Sequence, residues 1–127
     1  MKCPCCSGNM YQECCAPLHE GGFADSPLQL MRSRYSAYVL GKVDYIIRTT
    51  HPKNVSFQKD SVKWALDILS FCQNTQFEKL EIVEANGNTV SFVAHLRQGG
   101  QEVLLRENST FKKEGPQWLY HFGLTEH

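Results

Sequence analysis

Two hydrophobic rhythms divide the chain. Up to Asn74 apolar residues recur at three and four, and from Phe77 onward they alternate at two. The first helical stripe is Leu28, Met31, Tyr35 and Tyr38. Ser26 suits its N-cap, Pro27 its first position and Gln29 a capping box, and Gly41 is a natural stop after Leu40. A second short helix is expected over 43–50, ended by Pro52, which disfavours helical geometry at His51. Residues 53–58 can form a short strand. Asp60 or Ser61 then caps a third helix running to about Asn74. Its apolar residues, among them Trp64, Leu66, Ile68, Leu69 and Phe71, cover much of its surface, which predicts a helix sandwiched between a sheet and another helix.

The period-two region divides into four strands. Leu80 and Ile82 alternate with charged residues, and Asn86-Gly87 is a strong hairpin signal. Val90, Phe92, Ala94 and Leu96 share a face, and Gly99-Gly100 makes the next turn. Val103, Leu105 and Phe111 share a face of the third strand, and Gly115-Pro116 turns the chain again. Trp118, Tyr120, Phe122 and Leu124 are expected on one face of the last strand. Helices followed by a four-stranded meander define an α+β fold.

Ahead of this pattern lies a stretch with no apolar rhythm. Five of six cysteines fall between Cys3 and Cys15. Cys3 and Cys5, then Cys14 and Cys15, give C-x-C-x8-C-C, with Ser7 and Gly8 to turn the chain and Met10 to Glu13 able to form one helical turn. Four thiolates complete a tetrahedral zinc ion and leave no open position, which describes a structural site. A redox cluster and disulfides are the alternatives; with no signal segment before Cys3, a reducing cytoplasm and metal binding are the expectation. Cys6 is a fifth thiol beside a four-ligand site, able to exchange with a neighbour or to serve as a redox sensor. Cys72 reads as a small apolar residue. Residues 16–25, with Gly21 and Gly22, read as a linker between a module at 1–20 and a domain at 21–127.

Composition narrows the partners. An apolar fraction of 42% is enough for one core. Thirteen basic and thirteen acidic residues cancel, which argues against general nucleic-acid binding and polybasic membrane attachment. No apolar run is long enough for a membrane span.

Chemistry concentrates on the third strand. Val103, Leu105, Glu107, Ser109 and Phe111 point one way, so Glu107 and Ser109 interrupt an inward apolar face. A buried carboxylate needs a partner. Arg32 or Arg34, with Tyr35 beside them, is the expected one. The arginines can instead snorkel to solvent, and the pair can be purely structural. His51 reads as a cap or loop residue at a helix end, and His95 and His121 as outward-facing. Trp64, Trp118, Tyr120 and Phe122 read as core.

The cysteine run Cys3-Pro-Cys5, Ser7-Gly8, Tyr11 and Cys14-Cys15 resembles the SEC-C motif, a small zinc-binding module known from the preprotein translocase ATPase; the motif usually has Gly where this chain has Cys6. Met31-Arg-Ser-Arg-Tyr-Ser-Ala-Tyr38, Gly41, Asp44-Tyr45, His51-Pro52, Glu107-x-Ser-x-Phe111, Trp118-x-Tyr120 and Gly123 resemble the YchJ family of bacterial proteins over nearly the whole chain. The resemblance implies an N-terminal SEC-C module followed by a nuclear-transport-factor-2-like (cystatin-like) cone, a curved sheet around helices that can enclose a pocket. It implies no particular reaction, because that cone serves enzymes, binders and scaffolds alike.

Three functions follow as expectations. The first is a non-enzymatic cytoplasmic protein that docks a protein partner through the zinc module or holds a small ligand in the cone. The second is a small-molecule enzyme using Glu107 as acid or base, supported by Arg32, Arg34, Tyr35 or His51. The third is a thiol sensor through Cys6. A homodimer is compatible with any of them.

Overall fold

In a computed structural model of the chain, which describes residues 1–126, a 3-10 turn at Tyr11–Glu13 is followed by four helices and four strands. The helices are α1 (Ala16–His19), α2 (Pro27–Leu40), α3 (Val43–Arg48) and α4 (Ser61–Gln73). The strands are β1 (Gln76–Asn86), β2 (Thr89–Gln98), β3 (Gln101–Glu114) and β4 (Gln117–Glu126), joined antiparallel in the order β1-β2-β3-β4. The architecture is the expected α+β cone, with α2 laid across the sheet against β1, β2 and β4.

Local chemistry sets the helix ends. The Ser26 hydroxyl accepts from Gln29 N–H at 3.2 Å, and Gly41 closes α2 in the left-handed region at φ 72°. Gln29 returns its side chain to Asp25 N–H at 2.5 Å, one residue earlier than the expected capping box. Asp60 caps α4 through Lys63 N–H at 3.1 Å. Leu30, Ala37, Ile46, Val90 and Phe111 are fully buried between α2, α3 and the inner sheet face.

Four expectations are corrected. Residues 16–25 are not a plain linker: 16–19 form α1, and Leu18 and Ala24 join the main core. Residues 53–58 form turns rather than a strand. The chain instead meets β4 just earlier, where His51 N–H donates to Tyr120 O and Tyr120 N–H to Thr49 O, both at 2.8 Å. The helix α4 is not sandwiched. Trp64 and Ile68 are buried, but Val62 and Leu66 are 70% and 62% exposed, because α4 packs on α3 and leaves its far side open. Finally, β4 does not keep one apolar face. Phe111 pairs with Tyr120 but Thr110 with Phe122, so His121 is bulged out and the alternation flips. Phe122 and Leu124 therefore turn outward and Gly123 turns inward.

Candidate metal centre and cone pocket

The N-terminal module is held by backbone before any metal is considered. Lys2 and Met10 form an antiparallel bridge, Cys3 N–H donates to Asn9 O at 2.9 Å, and Tyr11 N–H donates to Met1 O at 3.0 Å. This loop and the following 3-10 turn bring together Cys3, Cys5, Cys14 and Cys15. Their four Sγ atoms lie within 4.8 Å of one another, and all but the half-buried Cys14 are buried. The Cys5–Cys14 and Cys14–Cys15 separations are 3.7 and 3.8 Å. A tetrahedron with metal–sulfur bonds of about 2.3 Å has edges of about 3.8 Å. A disulfide would need about 2.0 Å, and all six cysteines are free thiols.

Electrostatics make the same point. Hydrogen bonding from Cys15 holds the Cys5 thiol down to about 4. Burial pushes Cys3 up to about 11, and Cys15 is driven upward by its bond to Cys5 and by burial. Ionising all four thiols at such close quarters calls for a cation among them. The donor set therefore fits a soft tetrahedral metal ion. Cys6 stands apart, exposed, with Sγ 3.6 Å from Pro4 O and a backbone φ of 67°.

The helix α2 presents two faces from one run of residues. Arg32 Nη1 donates to Cys5 O at 2.8 Å, so this arginine serves the module and not the cone. His19 Nε2–H donates to Ser33 O at 2.8 Å, which leaves Nδ1 to accept from Tyr11 OH at 2.7 Å. Ser36 Oγ lies 3.3 Å from the same Nε2, and Arg48 reaches Leu18 O at 2.8 Å. Ser33 Oγ in turn meets Tyr45 OH at 2.6 Å. These bonds fasten the module to α2 and α3.

On the other face, Met31, Arg34, Tyr35 and Tyr38 line a cavity of about 180 Å3 closed by the inner face of the sheet. Phe71, Phe77, Phe92 and Leu96 give it apolar walls, and Glu107, Ser109 and Tyr120 give it a polar end. Glu107 Oε2 accepts from Ser109 Oγ at 2.5 Å and from Tyr120 OH at 3.1 Å. Gly123 makes room for this carboxyl group, since a Cβ there would overlap both it and the Tyr120 hydroxyl. Burial raises the phenols of Tyr35, Tyr38 and Tyr120, so all three stay protonated at neutral pH.

The expected Glu107–arginine ion pair is absent among the described residues. Arg34 Nη1 instead donates to Ile46 O at 3.0 Å, Thr49 Oγ1 at 2.7 Å and Thr50 Oγ1 at 3.2 Å, and its guanidinium lies 4.8 Å from the Tyr120 ring centroid. His51 is also outside the cone: its Nδ1 accepts from Lys53 N–H, and Nε2–H donates to Glu114 at 2.8 Å. Tyr120 and Gly123 escaped the sequence reading as site residues. An isolated glycine within a strand pattern signals close approach, and that signal was available at Gly123.

Comparison with known proteins agrees with this geometry. Residues 26–123 match the family model described as YchJ, middle NTF2-like domain. A UPF0225 protein from Vibrio parahaemolyticus is 40% identical over 94% of this chain and 72% of its own length. One from Deinococcus radiodurans is 39% identical over 93% of this chain and 85% of its own. The solution structure of a SEC-C motif containing protein from Rhodopseudomonas palustris superposes with a TM-score of 0.82 at 34% identity, covering both chains completely. The crystal structure of another, from Psychrobacter arcticus, gives 0.72 at 26% identity over 94% of this chain and 79% of that one. A cysteine module seated on a cone, matched over nearly its full length by these relatives, identifies the chain as a member of the YchJ (UPF0225) family, with a SEC-C motif followed by an NTF2-like domain.

Proposed function

We propose that the protein is a small-ligand binder whose N-terminal module is fixed by one structural zinc ion. Cys3, Cys5, Cys14 and Cys15 would hold the ion, leaving no position for substrate. We set the boundary between the module and the domain near residue 20. Four metal-bound thiolates suit a reducing compartment, and we place the protein in the cytoplasm. No helix among the described residues is long and apolar enough to cross a membrane.

The observation that carries the ligand reading is the cavity itself. Its walls are apolar, its polar groups converge at one end, and one of them is a buried arginine. Such a pocket is the usual form of a small-molecule site. An engineered cavity of about 150 Å3 accepts benzene, so 180 Å3 has room for one ring and a few further atoms. Titration with toluene, followed by methyl NMR, tests the reading. Shifts confined to the methyl-bearing lining residues Met31, Ala94, Leu96 and Leu105 are expected, and no shift at saturating toluene would overturn it.

A further inference from the structure

The polar end of the cavity holds two opposite charges that do not touch. Arg34 is only 7% exposed, yet no carboxylate lies within 4.0 Å of it among the described residues. Every protein acceptor it has is taken by Nη1. A guanidinium has five N–H groups in a fixed fork. Those on Nε and Nη2 have no protein acceptor and are not sealed within the protein, and Arg34 lines the cavity. Glu107 is the mirror case: both its donors converge on Oε2, and Oε1 has no protein donor among the described residues. The cavity thus offers unused donors from a cation and an unused acceptor on an anion, with no net charge between them.

That pairing selects among ligands. A carboxylate would satisfy Arg34 but would be held close to Glu107. An ammonium or amidinium would do the reverse. A neutral head with an acceptor beside a donor satisfies both. Resting on the ligand-binding reading above, we propose that the cone takes a small uncharged molecule of about one ring in size. Its head carries a carbonyl beside an N–H or O–H, as in an amide or lactam, with the carbonyl toward Arg34 and the donor toward Glu107.

Four ring-matched probes test this by calorimetry on the full chain: toluene, benzamide, benzoate and benzamidinium. Benzamide should bind at least tenfold tighter than either ion. Glu107→Gln, which keeps an oxygen for Ser109 and Tyr120, should strengthen benzoate at least tenfold by leaving Arg34 as the sole charge. Benzoate or benzamidinium matching benzamide would overturn the proposal, as would unchanged benzoate binding in Glu107→Gln. Toluene binding without benzamide would remove the head-group inference while sparing the pocket. Failure of all four, toluene included, would remove the pocket reading and this proposal with it. The wild-type ranking decides the question even where the variant fails to fold.

Discussion

Cys6 sits at φ 67°, the left-handed region that glycine enters freely and other residues enter at a cost of about 1 kcal/mol or more. The SEC-C motif usually has glycine at this position, and the backbone here shows why. The thiol is exposed and lies outside the four-sulfur group. Cys6→Gly should therefore leave metal content unchanged and raise stability by roughly 0.5–1 kcal/mol, read as an upward shift in Tm. Gly123 is the opposite case, a glycine whose missing Cβ is where Glu107 fits. Gly123→Ala should cost about 1–3 kcal/mol by overpacking and abolish probe binding in the cone. An alanine variant of wild-type Tm that still binds would contradict the packing described. The polar end was half legible in sequence. Alternation placed Glu107 and Ser109 on the inner face, but their true partner, Tyr120, was assigned to the core. The bulge at His121 that turns Gly123 inward depends on pairing with β3, which no single-strand pattern carries.

At the scale of elements, α2 joins the two parts of the molecule. Arg32, Ser33 and Ser36 face the module, while Met31, Arg34, Tyr35 and Tyr38 face the cone. Helical geometry explains why two arginines on either side of Ser33 do different work. Residues two apart diverge by about 200° around the axis at 3.6 residues per turn, so Arg32 and Arg34 cannot share a face. Arg32→Ala should cost about 1 kcal/mol or less, as the bond is only part-buried, and should speed zinc loss to a chelator with the cone's Tm nearly unchanged. Equal chelation rates in variant and wild type would contradict that seam. The segment 49–54 is a second joint, binding β4 through its backbone and Glu114 through His51. The His51 hydrogen bond holds the Glu114 carboxyl below its ordinary value of 4.5. The stabilisation is complete above that value and is lost as pH falls through the lower folded-state pKa. Glu114→Gln should accordingly flatten the fall in Tm below pH 4.5, and an unchanged acid limb would show the pair to be inert. The caps at Ser26, Gly41 and Asp60 were legible because they are local. The bare face of α4 was not: its apolar residues announce burial, and only the tertiary arrangement leaves Val62 and Leu66 outside.

For the whole molecule, the period change near Asn74 was sufficient to give helices first and a meander after, and the cysteine spacing was sufficient to give the module. Neither could say that Leu18 from the module's side would enter the main core, or that the cone would keep a cavity open. Both depend on how two separately patterned pieces meet. The central claim is that one zinc ion, held by four named sulfurs, locks the module onto α2. Elemental mass spectrometry of zinc per chain, on untagged protein purified without chelator, tests it most directly for wild type, Cys6→Ser and Cys14→Ser. The account predicts one zinc in wild type, one in Cys6→Ser and well below one in Cys14→Ser. No zinc in wild type, or its loss from Cys6→Ser with retention in Cys14→Ser, would contradict it.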